Sequence, residues 1–455
     1  MTLMYDQLLN IIQDADRISR NETILEQHSK GMTYHTPQLP ELVAYPQTKE
    51  EVSQILTYAN ERCIPVTPFG VGSSLEGHII PNRGGITVNL SLMNKVVEVR
   101  PEDFLVKVQP GVTRSQLNKE LKRHGLFFPV DPGADATIGG MVSTNASGTN
   151  SVKYGTMKDQ VLGLEVVLAD GRVVRTGGMA VKSSAGYNLT SLLVGSEGTL
   201  GIITEITLRL QGIPEMIVAS RALFSSVEAA GNAAAAMLKS GLDLGKVELV
   251  DQATIQAVNA YKNTGYQEVP TLFIEMSGSE HSVKKDMEVA QEIAVEEGCQ
   301  LFESESDSLA RTKLWEARHH VAFAIQAANP GKGMLSTDVC VPISELPNAI
   351  KETRKLIELH GVEAAIFGHV GDGNYHAVLS IDANDPESVK KIEEINQQIV
   401  AYALEKGGTC TGEHGVGIGK KQFLRLEHGE TVDLMKDIKV AFDPKGILNP
   451  GKIFD

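Results

Sequence analysis

The first half of the chain alternates short apolar runs with glycine-rich breaks, whereas the second alternates longer amphipathic runs with β-branched ones. Apolar positions spaced three and four apart follow the capping box Thr48-Lys-Glu-Glu51 and predict a helix as far as residue 60. A short strand over 64–67 follows, with further strands at 86–90, 96–100 and 105–109. Thr113-Arg-Ser-Gln116 caps another helix, and 161–169 with 172–176 reads as a hairpin turning on Asp170-Gly171. Glycine clusters stop near Gly212-Ile-Pro214, which marks a domain boundary. Beyond it the pattern predicts helices at 226–239, 283–297, 344–359 and 386–405, and strands at 247–250, 271–276, 364–369 and 375–381. That order suits an antiparallel sheet with helices on one face, and so an α+β fold. Residues 1–35 read as a polar helical lead-in.

A chain of 455 residues exceeds one ordinary core and implies two or three domains. No apolar run reaches the roughly 20 residues needed to cross a bilayer, so a soluble globular protein is expected. The N-terminus lacks a basic stretch followed by an apolar core, which argues against a secretory signal. Cys63, Cys299, Cys340 and Cys410 show no CxxC spacing, which argues against zinc fingers, iron–sulfur ligation and a disulfide framework and fits a reducing cytoplasm. A net charge of -15 repels a phosphate backbone and excludes nucleic acid as a partner.

Three glycine-rich blocks precede residue 205. Pro68-Phe-Gly-Val-Gly-Ser-Ser-Leu-Glu-Gly77 can expose successive N–H groups as a nest for a pyrophosphate, although it is neither GxGxxG nor a Walker loop and an ordinary turn is the other reading. Small residues dominate 131–148, which lets a flat ring or phosphate approach the main chain, close helix packing being the alternative. Gly195-Ser-Glu-Gly198 opens the third block. Downstream, Phe367-Gly-His-Val-Gly-Asp-Gly-Asn-Tyr-His376 reads as a hairpin that brings His369 and His376 opposite each other. With Glu413 from Gly412-Glu-His-Gly415 they form a two-imidazole, one-carboxylate set for a divalent metal, leaving His414 as a base. A polar loop with ordinary surface histidines is the alternative.

With these blocks in this order, and with the ending Asp443-Pro-Lys-Gly-Ile-Leu-Asn-Pro-Gly-Lys452, residues 38–455 resemble the FAD-linked oxidases and dehydrogenases of the vanillyl-alcohol oxidase superfamily. Within it the resemblance is to the D-lactate dehydrogenase and glycolate oxidase catalytic-subunit branch. It implies a lead-in over 1–35, a two-part FAD-binding domain over 36–213, a substrate (cap) domain with the metal site over 214–415, and a C-terminal segment over 416–455 that returns to the flavin. FAD would be wrapped by Pro68, Gly70, Gly72, Ser73, Ser74 and Gly77, and by Pro132, Thr137, Gly140, Ser143 and Gly148. Glu197, Ile202 and Ile203 would lie near the adenosine portion, and Asn449 with Lys452 near the flavin. The context of His78 matches the branch that binds FAD non-covalently.

The same resemblance implies His369, His376 and Glu413 as ligands of Zn²⁺ or Mn²⁺, with Fe²⁺ also compatible, and His414 as the general base. Trp315-Glu-Ala-Arg318 supplies Arg318 as the clamp on a substrate carboxylate, a role suited to a planar guanidinium. Ala322, Ser336 and Val378 stand where relatives acting on dicarboxylates carry extra polar residues, which favours a short monocarboxylate. Lys332 and Lys420 read as ordinary surface charges. The expected reaction is oxidation of a short D-2-hydroxy acid, D-lactate favoured, with a glycolate oxidase catalytic subunit as the alternative. A flavin-free metal-dependent hydrolase or oxygenase, and a non-catalytic flavin-binding subunit, are the remaining readings. Electrons would pass to a quinone, cytochrome, electron-transfer flavoprotein or iron–sulfur subunit, with the chain cytoplasmic or peripheral at the inner membrane face.

Overall fold

The computed structural model describes residues 2–382 and 384–454, with the side chains of 2, 316, 317, 319 and 322 outside that description. The chain divides into two compact units, one built from Met1–Ser147, Gly155–Ile213 and Glu413–Asp455, the other from Gly148–Tyr154 and Pro214–Gly412. The sequence reading placed the second break after residue 415; the contacts place it between Gly412 and Glu413.

In the first unit the Thr48 hydroxyl accepts the Glu51 N–H at 3.2 Å and starts the helix Lys49–Arg62, which buries Val52, Ile55, Leu56 and Ala59. That helix connects parallel strands. Leu42–Ala44 and Val66–Phe69 flank Ile86–Asn89, and Ile18–Ser19 adds an antiparallel edge. The lead-in therefore belongs to this core: the helix Thr2–Ile12 buries Met4, Leu8 and Ile12, an apolar stripe at a spacing of four. A second, wholly antiparallel sheet runs in the order Val96–Arg100, Leu105–Val108, Ile202–Arg209, Val161–Val167, Val173–Gly177. Its last pair is the hairpin read from the sequence.

The second unit is organised by one antiparallel sheet in the order Leu301–Glu305, Met216–Leu223, Thr271–Gly278, Leu244–Val250, Ala364–Gly368, Asn374–Ile381, Gly333–Ser336. Side chains alternate between its faces. The long helices Val227–Lys239, Glu280–Glu296, Leu346–His360 and Pro386–Glu405 share one face, with Ser220 reaching Met287 and Tyr375 reaching Thr353. Shorter helices, Gln252–Lys262, Ser308–His319 and Val321–Ala328, cover the opposite face, where Ile255, Val258, Trp315 and Ile325 pack on Ala219, Val250, Phe273 and Phe367. Both faces are dry.

The lead-in's place in the core is testable. Leu8→Ala empties a fully buried position and is expected to destabilise the first unit by about 2–5 kcal/mol. Leu3→Ala, on the exposed side of the same helix, should change little. Thermal unfolding that responds equally to both substitutions would refute the burial assignment.

Candidate active site

The register of the large sheet sets out the polar residues of the second unit. Val250 pairs with Phe367, and Phe367 pairs with His376. On the same face Glu248 lies two residues before Val250, and His369 two residues after Phe367, so Glu248 and His369 come to face each other across adjacent strands. Glu248 Oε1 accepts from His369 Nδ1 at 2.6 Å, and its Oε2 accepts from Arg318 Nε at 2.7 Å. Arg318 reaches down from the helix Ser308–His319, and its guanidinium lies 4.8 Å from the Phe367 ring centre. Burial alone would push the Glu248 carboxyl up, but His369 and Arg318 outweigh it and hold the group below the usual carboxylate range.

The predicted hairpin is present, although the residue directly opposite His376 is Phe367 rather than His369. The two imidazoles still meet edge to face, with ring centres 5.6 Å apart. His376 Nδ1 donates to the Thr337 carbonyl at 3.1 Å, as His369 Nδ1 donates to Glu248. A carboxylate and a carbonyl can only accept, so each Nδ1 carries a proton, and in the neutral ring the lone pair then lies on Nε2. That tautomer is the one a divalent cation requires, so the pair fits the proposed ligand set. Asp338, fully buried, accepts from Asn374 Nδ2 at 2.9 Å and Thr411 Oγ1 at 2.8 Å, while its carbonyl accepts the Gly412 N–H at 2.8 Å. It thereby anchors the segment that runs into Glu413 and His414. Ser336 pairs with Val378, whose side chain is buried in the apolar cluster around Phe367; the side chain of Ala322 lies outside the described residues.

The predicted FAD residues lie in the first unit, except Gly148, which belongs to the second and gives its N–H to Ser151 Oγ at 3.0 Å. Pro68 lies in the strand Val66–Phe69, and a Cβ on Gly70 would lie 2.5 Å from Thr137 Oγ1. Gly72 and Gly77 both take φ near +74°, which turns successive amides to one side of the loop. Ser74 Oγ is buried with no hydrogen-bond partner among the described residues, which leaves a hydroxyl for an anion. These residues fit a pyrophosphate. In the small-residue block the close-packing reading is met: Thr137 caps the short helix Ile138–Thr144, and Gly139 packs where a Cβ would lie 2.5 Å from Pro110. Ser143 Oγ donates to Gly139 O, while Pro132 and Gly140 remain half-buried. Ile202 and Ile203 point into apolar clusters, so their main chain is the part left for a cofactor.

The carboxylate oxygens of Glu197 accept the Val416 and Gly417 N–H groups at 2.7 and 2.9 Å. Asn449 Nδ2 ties the carbonyls of His78 and Glu197 together, and Lys452 Nζ donates to Ile80 O at 2.6 Å. The C-terminal tail thus closes on the glycine loop. Glu413 accepts from Ser147 Oγ at 2.9 Å, and His414 lies with Nδ1 4.0 Å from Glu76 and Nε2 3.8 Å from Glu413. Lys420 is not a surface charge. It is buried, 3.5 Å from Glu76, because Ile418 N–H bonds the Glu76 carbonyl and draws the segment inward. Lys332 remains at the surface. Motif spacing missed Glu248, Asp338 and Glu76; the only signal for Glu248 was an acidic residue within a strand whose neighbours are apolar.

Two consequences can be measured. Gly77→Ala forces a side chain into a left-handed position 3.0 Å from Ile418 and is expected to weaken FAD retention about tenfold, roughly the 1–2 kcal/mol such a conformation costs. Gly125→Ala, equally left-handed but facing open space, should leave the flavin-to-protein absorbance ratio intact; equal losses in both would separate the loop from FAD. Burial pushes the Lys452 ammonium down from 10.5 to about 7. The folded value lies below the unfolded one, so the penalty is absent above about 10.5, grows as pH falls, and is complete below about 7. Raising the pH from 7 to 9 should therefore stabilise the wild type relative to Lys452→Gln, and a constant offset between their denaturant midpoints would contradict this.

Comparison with known proteins agrees with both units. Residues 40–177 match the family described as FAD binding domain, and residues 213–453 match FAD linked oxidases, C-terminal domain. A Danio rerio protein described as probable D-lactate dehydrogenase, mitochondrial, is 43% identical over 96% of this chain and 89% of its own length. An Arabidopsis thaliana protein, D-lactate dehydrogenase [cytochrome], mitochondrial, is 40% identical over 99% of this chain and 80% of its own length. In structure the chain resembles 4-ethylphenol oxidase from Gulosibacter chungangensis, with a TM-score of 0.79 and 18% identity over 100% of this chain and 97% of that one, which is a likeness of fold. The flavin-free and non-catalytic readings fall away, and the chain belongs to the FAD-linked oxidases, as an FAD-dependent oxidoreductase whose relatives include D-lactate dehydrogenases and a glycolate oxidase subunit.

Proposed function

We propose that this protein oxidises a short D-2-hydroxy acid, D-lactate before glycolate, to the 2-oxo acid. The observation that carries the reading is the grouping, on one sheet face, of a guanidinium with two imidazoles whose Nδ1 atoms are both committed as donors. Such a face suits an anion bearing a hydroxyl next to a divalent cation. The names of the relatives from Danio rerio and Arabidopsis thaliana support the same substrate class.

FAD, bound non-covalently, would supply the two-electron acceptor, and His369, His376 and Glu413 would hold Zn²⁺ or Mn²⁺, which would supply Lewis acidity. Arg318 holds the substrate carboxylate through its terminal nitrogens, since Nε is committed to Glu248. His414 takes the hydroxyl proton, a task that the reference pKa of an imidazole suits. Val378 and Ser336 add no cation for a second carboxylate, which supports a monocarboxylate. Electrons leave to a non-nicotinamide carrier; the cytochrome in the Arabidopsis relative's name supports a carrier protein over a quinone.

The visible spectrum of the purified protein before and after anaerobic D-lactate tests this, with glycolate and L-lactate alongside. D-lactate is expected to bleach the flavin band fastest and L-lactate not at all. A yellow protein that none of these acids bleaches would overturn the substrate assignment. His414→Ala should keep flavin and metal yet slow flavin reduction by about 10²–10⁴. Reduction of that variant at the wild-type rate would remove His414 as the base.

A further inference from the structure

Glu248 has no exposed surface, and its two oxygens serve partners with different tasks. Oε1 engages His369 Nδ1 at 2.6 Å and Oε2 engages Arg318 Nε at 2.7 Å. We infer that Glu248 is a positioning residue that links metal affinity to substrate affinity, by fixing the ligating face of His369 and the carboxylate grip of Arg318 with a single side chain. The inference rests on the roles proposed above for His369 and Arg318.

The geometry supports it from three sides. Towards His369, a carboxylate can only accept, so the ring is held in the tautomer that presents Nε2 to a cation; groups behind a metal-bound histidine commonly change metal affinity 10–100-fold when removed (about that range). Towards Arg318, capture of Nε turns the guanidinium so that its two terminal nitrogens form the outward end of the fork, the end that matches a planar carboxylate. Beneath it, the Phe367 ring supports the guanidinium plane from the neighbouring strand, and His376 is the register partner of that same residue. A purely stabilising ion pair gives little reason for this arrangement, because well-packed apolar residues replace buried pairs at equal or better stability. Divided oxygens, by contrast, make each partner's position depend on the other's.

Glu248→Gln in the flavin-loaded full chain separates the two roles. The amide oxygen can satisfy one partner, while its NH₂ confronts the donor of the other. Affinity for Mn²⁺ or Zn²⁺, each titrated against a chelator, is expected to fall about 10–100-fold, and KM for D-lactate should rise about tenfold with flavin content unchanged. Saturating Mn²⁺ should return kcat towards the wild-type value and leave KM raised. Wild-type metal affinity together with wild-type KM would overturn the inference, even if the melting temperature drops, since that pattern describes a structural pair only. Glu248→Asp keeps the charge but withdraws it by one methylene, so it can reach one partner at most. If the glutamine variant does not fold, wild-type constants in a folded aspartate variant are equally decisive against the link. His369→Ala distinguishes the underlying assignment: metal lost there but retained in Glu248→Gln sinks the link alone, whereas metal retained in His369→Ala sinks the ligand set.

Discussion

A charge that faces a sheet covered on both sides must be paired, and that constraint orders the second unit. Glu248 meets it with one donor for each oxygen. Asp338 meets it with Asn374 and Thr411, and its carbonyl holds Gly412. Both pairings depend on the register that sets Val250 against Phe367 and Phe367 against His376. A slip of one residue would turn Val247 and Leu249 to this face and Glu248 into the layer of long helices. Chemistry and sheet register are therefore one problem in this unit.

The first unit obeys a different constraint, close approach of main chain to main chain. Glycines at 70, 72 and 77 allow the loop to fold over Phe69 and Thr137, and Gly417 packs so tightly that a Cβ would lie 2.1 Å from the Glu76 carbonyl. Distant segments are then sewn to this loop by side chains with main-chain partners. Glu197 holds the amides after Gly415, Asn449 holds two carbonyls, and Val66 N–H bonds the Ile447 carbonyl. The tail is a structural wall of the glycine loop, and Lys452 is buried there with its ammonium depressed.

Much of this was legible in the order of residues alone. The capping box at Thr48, the hairpin at Gly171 and the antiparallel order after residue 214 follow from periodicities and turn chemistry within a few residues. The histidine hairpin and the glycine blocks were legible for the same reason, since spacing and residue type are local facts. Burial was not. Met4, Leu8 and Ile12 cannot be told from their apolar neighbours Leu3, Leu9 and Ile11 as the buried side of the first helix until a sheet lies beneath them, and Lys420 reads as a surface charge until Ile418 is drawn against Glu76. Glu248 alternates with Val247 and Leu249 as a solvent-facing residue would, and only the helix carrying Arg318, laid over that face, makes it a centre. Residue order settles which groups can form a turn, a cap or a ligand pair, because those depend on neighbours along the chain. Which oxygen meets which donor depends on residues 70 or 121 positions away, and strand register and helix packing alone bring them together.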